Sequence, residues 1–241
     1  MRAAVISAGI LGMADERRTA AAEKTAATQP RLQSIDSWNP KDFAREQIRR
    51  LVRQVFFSSE PQPARQVVFS GLEPGGYVGS ICARVGEALA METSADVAVV
   101  GTQLEDLDRA ASWVEDARNA LRNESTPLRR MGLRLRKNLW FIPDEMVQVN
   151  VNSASLHSFF SDVRSEFEYS IVQAQRAGES SGTTETARVA DGLILVVSAR
   201  RTRRASALKI KQMLEEAQVR ILGAVLSDRE FPIPERIYRR L

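Results

Sequence analysis

Two residue types are almost missing from this chain: it has one cysteine and one histidine in 241 residues. A single thiol closes no internal disulfide. The chain therefore does not read as a stapled secreted scaffold, and it suits a reducing cytoplasm. One Cys and one His, Cys82 and His157, are too few for a zinc site, which takes several such ligands. Cys82, among small residues, is expected in a core, and His157 on a solvated helix. No run approaches the ~18 uninterrupted apolar residues of a membrane span. The opening MRAAVISAGILGMA has a short apolar part behind one Arg; it reads as a weak secretion signal or as residues upstream of a translation start near Met13. Strong net charge is lacking too. Lys and Arg number 34 against 30 Asp and Glu, for a formal +4. That permits acidic partners without demanding nucleic acid.

What is present suits a soluble α/β protein. Hydrophobic residues make up 44% and charged residues 27%, ordinary values for a globular domain. Residues 1–40 have no lasting apolar period and read as a disordered N-terminal arm, leaving 41–241 as one domain. Asn39-Pro40 is a helix start. In the helix that follows, Phe43, Ile48, Leu51, Val52 and Val55 share one face, while Arg45, Arg49, Arg50 and Arg53 lie mostly on the other. After the linker SSEPQPA (58–64), short Val/Ile/Leu-rich runs recur at 66–70, 96–101, 139–142, 169–172, 192–198 and 220–226. Helical patterns at 79–91, 105–122, 153–165 and 202–217 separate most of them. That alternation predicts a three-layer α/β/α sandwich, a mostly parallel, doubly wound sheet of the nucleotide-binding type. Residues 123–138, rich in charge, are expected to form an exposed connection. In such sheets ligands bind at the carboxyl ends of the strands.

The most telling absence lies in RQVVFSGLEPGGYVGSICARVGEALA, residues 65–90. An apolar run, a Pro-Gly-Gly turn and a helix of small residues have the layout of a phosphate-binding loop. A working loop needs a Lys for the terminal phosphates and a Ser or Thr for Mg²⁺. Those positions fall on Val78 and Gly79. In the alternative frame, Gly71-x4-Gly76, the Lys position falls on Tyr77. Neither frame supplies a cation, and Tyr77 brings bulk to where phosphates would sit. Ser80 offers a hydroxyl one position off. Backbone N–H groups at the helix start leave room for a weak anion site.

Over about residues 40–241 the order of motifs resembles the cytoplasmic kinase domain of the bacterial tyrosine kinases that control capsule and exopolysaccharide synthesis. These are relatives of the MinD/ParA-type P-loop ATPases. FEYSIV at 167–172 is similar to that family's Phe-Asp-Tyr-Val-Ile-Ile strand. ADGLILVVS through GAVLSD, 190–228, is similar to its "Ala-Asp-Gly … Leu-Val-Val … Gly-Val-Val-Leu-Asn" block. LWFIPDE at 139–145 matches the strand before its Leu-Pro-Ala-Gly turn.

Set on that family's Pro-Gly-Glu-Gly-Lys-Ser/Thr-Thr loop, Pro74 and Gly75 match. Gly76, Tyr77, Val78, Gly79 and Ser80 then fall on the Glu, the second Gly, the Lys, the Ser/Thr and the final Thr. The two Asp of its second acidic strand fall on Gly101 and Gln103; Glu105 and Asp106 beyond them read as acids of a helix start. The Asp of its Walker B strand falls on Gln173, which lacks the charge that orients hydrated Mg²⁺. With the Lys and three acids absent together, the resemblance implies a catalytically inactive kinase-like protein without a cofactor. Its role would be regulation or scaffolding in exopolysaccharide export. It would be cytoplasmic, held at the inner membrane through a polysaccharide co-polymerase or chain-length protein, with no membrane span of its own and no nucleic acid.

The family's Glu-x2-Arg-x2-Arg oligomer motif is half kept, as Glu46 and Arg49, with Val52 at the third position and Arg53 one place on. That marks a surface for a partner or a homo-oligomer. The family's Tyr-rich tail is absent; only Tyr238 stands there, read as an anchored apolar tail residue. Arg200, Arg201, Arg203 and Arg204 flank Thr202 after a strand, either as a solvated helix start or as a surface for an acidic partner or glycan phosphate. Two alternatives stand beside the inactive reading. One is an ATP-Mg²⁺-binding tyrosine kinase using ligands such as Glu73, Ser80 and Glu105. The other is a partition-type protein binding DNA nonspecifically.

Overall fold

The computed structural model describes residues 40–58, 63–74, 77–102, 127–143, 153–179 and 181–228. The N-terminal arm, the 105–122 helical pattern, Gly75, Gly76, Gln103, Glu105, Asp106 and Tyr238 lie outside the described residues.

Seven strands form one sheet: β1 Gln66–Gly71, β2 Val97–Thr102, β3 Leu133–Arg136, β4 Leu139–Pro143, β5 Tyr169–Gln173, β6 Gly192–Ser198 and β7 Ile221–Ser227. Their order is β3-β4-β2-β5-β1-β6-β7. Every pairing is parallel except β3 with β4. The central β1 is buried along its whole length, as expected where helices cover both faces of a parallel sheet.

Side-chain alternation sorts the core into two layers. Val67, Phe69, Val97, Val99, Phe141, Ile171 and Ile194 point to one face, which α1 (Pro40–Phe56) and α2 (Val78–Glu92) cover. Val68, Val100, Trp140, Ile142, Val172, Leu193 and Leu195 point to the other. That face carries α3 (Pro127–Met131), α4 (Ser153–Glu166), α5 (Ser181–Val189) and α6 (Arg204–Glu216). The expected three-layer sandwich is therefore the fold. Gly86 lets α2 lie directly on β2, since a Cβ there would overlap the Val99 side chain. Cys82 is fully buried and His157 is exposed on α4, the environments expected of each.

One stretch departs from expectation. Residues 133–136 are not an exposed connection but an edge strand, in a hairpin with β4. Leu135 is buried, while Arg136 meets Glu87 at 2.7 Å. Edge strands tolerate such charges because one side faces solvent. Just beyond, the Asn138 side-chain amide donates to the carbonyls of Ala90, Thr93 and Ala95 at 2.9–3.1 Å, closing the end of α2.

Candidate functional site

The strand order brings the ends of β2, β5 and β1 side by side. Phe69 stands beside Gln173, and Val100 beside Val172. The loop after Gly71, Gly101 and Gln173 therefore meet at the carboxyl edge, where a doubly wound sheet holds its ligands. The backbone ties them. Ala174 N–H donates to Phe69 O at 2.9 Å, Ala177 N–H to Gly71 O at 3.0 Å, and Leu72 N–H to Val196 O at 3.1 Å. The Ser70 hydroxyl donates to Gln175 O at 2.6 Å, and Thr183 donates to the same carbonyl at 2.8 Å.

At the start of α2, Tyr77 is the N-cap residue. It makes no side-chain capping bond and is 53% exposed. Pro74 is exposed as well. Val78 turns the other way, into the core shared with Cys82 and Leu89. Its Cγ2 lies 3.0 Å from where a Cβ on Gly71 would sit. A Cβ on Gly71 would crowd Val78, the residue that the Pro74-Gly75 frame sets at the Lys position, and Val78 is packed in the core. Gly79 and Ser80 are buried beside it. The first turn of α2 carries no acidic residue.

At the end of β2, Gly101 takes φ +76° and the register with β4 slips between Val100 and Thr102. A bulge there suits glycine, whose missing side chain makes the left-handed region accessible. At the end of β5, the Gln173 Oε1 atom is buried and accepts no hydrogen bond. Among the described residues no three His, Cys, Asp or Glu side chains converge to hold a metal. A Mg²⁺-triphosphate needs a cation at the helix start and carboxylates at the strand ends. Val78, Gly101 and Gln173 do not fit that group.

A cation does approach the loop, from a position the sequence did not single out above its neighbours. Arg201 donates to Pro74 O at 3.3 Å and to Asp228 Oδ2 at 3.4 Å. Asp228 also accepts from the Ser198 hydroxyl at 2.8 Å, from a left-handed backbone at φ 56°. Thr202 Oγ1 accepts from Ser198 N–H at 3.1 Å. The guanidinium that reaches the loop is therefore spent on the protein's own carbonyl and carboxylate. Asp228 was legible only as the last residue of GAVLSD. Arg200, Arg203 and Arg204 are exposed. Beside this edge, between the 176–179 turn and α6, lies an open groove of about 730 Å³ lined by Leu72, Arg176, Ala177, Ile210 and Met213 among others.

The α1 surface is separate from these strand ends. Arg53 makes a two-pronged pair with Glu92 of α2, at 3.1 and 3.2 Å. Arg45, Glu46, Arg49 and Arg50 are exposed, with Glu46 3.8 Å from Arg50.

Comparison with solved structures places this architecture. No family model matches the chain, and no curated protein matches it. The kinase domain of the Escherichia coli tyrosine kinase ETK is similar in structure, with TM-score 0.58 and 15% identity over 79% of each chain. The chain has the fold of bacterial tyrosine-kinase domains and MinD/ParA-type ATPases. The VpsO kinase domain aligns at TM-score 0.59 and 12% identity, over 79% of this chain and 98% of that one. The MinD cell division protein of Aquifex aeolicus aligns at 0.54 and 17%, over 72% and 73%. Among the described residues no helix is long and apolar enough to cross a membrane.

Proposed function

We propose that this chain is a catalytically inactive relative of the tyrosine kinases of capsule and exopolysaccharide synthesis. In this reading it acts as a regulatory or scaffolding protein of the export machinery. The observation that carries the reading is the carboxyl edge. In the family's frame the phosphate-gripping Lys falls on Val78, packed in the core, or in the alternative frame on Tyr77, exposed and uncharged, and the metal-orienting carboxylate falls on Gln173, whose amide oxygen is buried. Phosphoryl transfer draws nearly all its catalysis from charges placed around the phosphates and metal. A site without them keeps the shape and gives up the reaction. The exposed basic side of α1 and the strand-end loops are the surfaces offered to a partner, an inner-membrane co-polymerase or chain-length protein. Cytoplasmic placement at the inner membrane follows from that partner.

Titration of the purified chain with ATP and Mg²⁺ by calorimetry tests the reading, alongside an autophosphorylation assay. The expected result is no saturable binding up to about 1 mM nucleotide, weaker than ordinary substrate affinities, and no phosphotyrosine. Micromolar affinity abolished by substitution of Tyr77 or Ser80 would instead establish a kinase with unusual ligands. Tight DNA binding that collapses with added salt would establish the partition-type alternative.

A further inference from the structure

From Gly192 to Leu214 the chain carries six basic residues and no acidic one, an excess larger than the +4 of the whole protein. Four of them, Arg200, Arg201, Arg203 and Arg204, crowd the passage from β6 into α6 at the carboxyl edge of the sheet, and all four are exposed. Asp228 offsets one of them, through Arg201. Arg203 and Arg204 have no ion-pair partner among the described residues. Like charge concentrated in this way costs stability through self-repulsion, so the segment gains from any anionic surface brought against it.

Apolar side chains stand beside these arginines. Leu208, 53% exposed, lies one turn on from Arg204 and therefore on the same side of α6. Ile210 and Met213 line the groove on the other flank, about 140–200° round the helix from Leu208. That groove runs beside the 176–179 turn, toward β1, so Leu208 looks toward the β7 edge. Leu226 of β7, 44% exposed, pairs with Val197, whose side chain packs in the core on the α6 side. Partners across a parallel ladder share a face, so Leu226 leaves the sheet on that side too. Both leucines lie near the carboxyl edge, Leu208 in the second turn of α6 and Leu226 one residue before the end of β7.

We propose that this corner of the carboxyl edge rests directly on an anionic lipid bilayer, with the arginines among the lipid phosphates and Leu208 and Leu226 in the interface. Basic clusters are drawn to anionic lipid by charge, and apolar side chains buried at the headgroup boundary hold them there. A fluid surface asks for charge density and a projecting contact. Every residue from Ala199 to Ser206 except Thr202 is exposed, and the recess that could grip one particular peptide lies on the opposite flank of α6. The α1 surface and the other strand-end loops stay available to a protein partner. The contact does not rest on the inactive-kinase reading, and nucleotide titration and lipid binding can fail separately.

Cosedimentation of the full chain with lipid vesicles tests it, with circular dichroism to confirm folding. Binding is expected to vesicles of roughly 30% phosphatidylglycerol in phosphatidylcholine, and not to phosphatidylcholine alone. Added salt should weaken it, because salt screens exposed charges. Arg203→Ala with Arg204→Ala should lower the partition constant about 25-fold, at roughly fivefold for each arginine near an anionic surface. Arg188→Ala with Arg220→Ala removes the same charge from exposed positions at the amino edge, and should change it less than about twofold. Leu208→Ser should lower it roughly threefold while leaving its salt dependence unchanged. A wild type that ignores anionic vesicles overturns the proposal, and salt-sensitive retention on polyglutamate would then give the patch to an acidic protein. Equal losses in the two arginine pairs, or no loss in Arg203→Ala with Arg204→Ala, overturn it as well.

Discussion

At the amino-terminal edge of the sheet, Asp191 accepts from the backbone N–H groups of Arg65 and Gln66, both at 2.8 Å, and from Arg164 at 2.9 Å. At the carboxyl edge of the neighbouring strand β5, Gln173 Oε1 accepts from nothing. The contrast extends further. Near the start of β2, the Arg129 guanidinium lies over both the Trp140 and Phe167 rings, 5.1 and 5.0 Å from their centroids. It also donates to Asp96 and to Glu166 O, both at 2.7 Å. Near the end of β2 stands a bulged glycine. The edge that only holds the fold has kept its charges and satisfied them. At the carboxyl edge, where such a sheet holds its ligands, Val78, Gly101 and Gln173 are neutral or turned inward, and the charges beside them, Arg201 and Asp228, are spent on each other, on Ser198 and on Pro74 O. Selection on stability alone would preserve the first and be indifferent to the second, the pattern that the proposed inactive reading expects.

The sharpest way to break the contrast is to put a charge back. Val78→Lys restores the residue type that a phosphate loop requires, but Val78 points into the core against Gly71. Burying an ammonium there, at a helix start that already disfavours cations, should cost about 2–4 kcal/mol in urea denaturation. ATP binding should not return. A variant of near wild-type stability that binds nucleotide would show that the loop was intact and had lacked only its cation.

The amino edge makes the complementary prediction. Burial alone would push the Asp191 carboxyl up; the Gln66 and Arg65 N–H groups and Arg164 outweigh it, and its pKa is held below the ordinary carboxylate value. A depressed folded pKa contributes stability above the unfolded value of about 3.9, and that contribution is lost as pH falls through it toward the folded value. Asp191→Asn should cost about 1–2 kcal/mol near neutral pH, an estimate reduced because the pair with Arg164 is partly solvated. The gap to wild type should close in acid, as pH falls below the ordinary carboxylate value of about 3.9. A gap that stays constant as pH falls well past that value would mean the carboxylate's charge is not what the edge uses.

How much of this was legible in the residues depends on whether a feature is periodic. Six strands appear within about a residue of their Val/Ile/Leu runs; those inside the sheet are written as uninterrupted apolar segments because they are buried on both faces, and the edge strand β7 is as apolar in sequence though mostly only half buried. β3 was missed because LRLR at an edge looks like a charged loop. α5 was missed because its buried side consists of Thr183, Thr186 and Ala187, which give no apolar period. At the site, the meeting of Gly101, Gln173 and the loop follows from strand order alone. The inward turn of Val78 and the reach of Arg201 to Pro74 and Asp228 do not. Each depends on which way one side chain leaves the backbone, and a sequence records no direction.

The smallest expected effect is the most discriminating. Gln173→Leu roughly keeps the volume of the side chain and removes a buried acceptor that has no donor, together with the side-chain amide nitrogen. Where both members of a hydrogen bond exist, losing one leaves the other unpaired and costs ~1–3 kcal/mol; where the partner never existed, an apolar replacement is near neutral or slightly stabilising. The expected change in unfolding free energy is therefore within about 0.5 kcal/mol of zero, or a small gain. Such a result is what the proposed reading expects, in which Gln173 has no ligand to orient. A loss above about 1 kcal/mol would mean that a donor reaches Oε1 in solution. The carboxyl edge would then be an occupied site, and the asymmetry between the two edges would need a ligand to explain it.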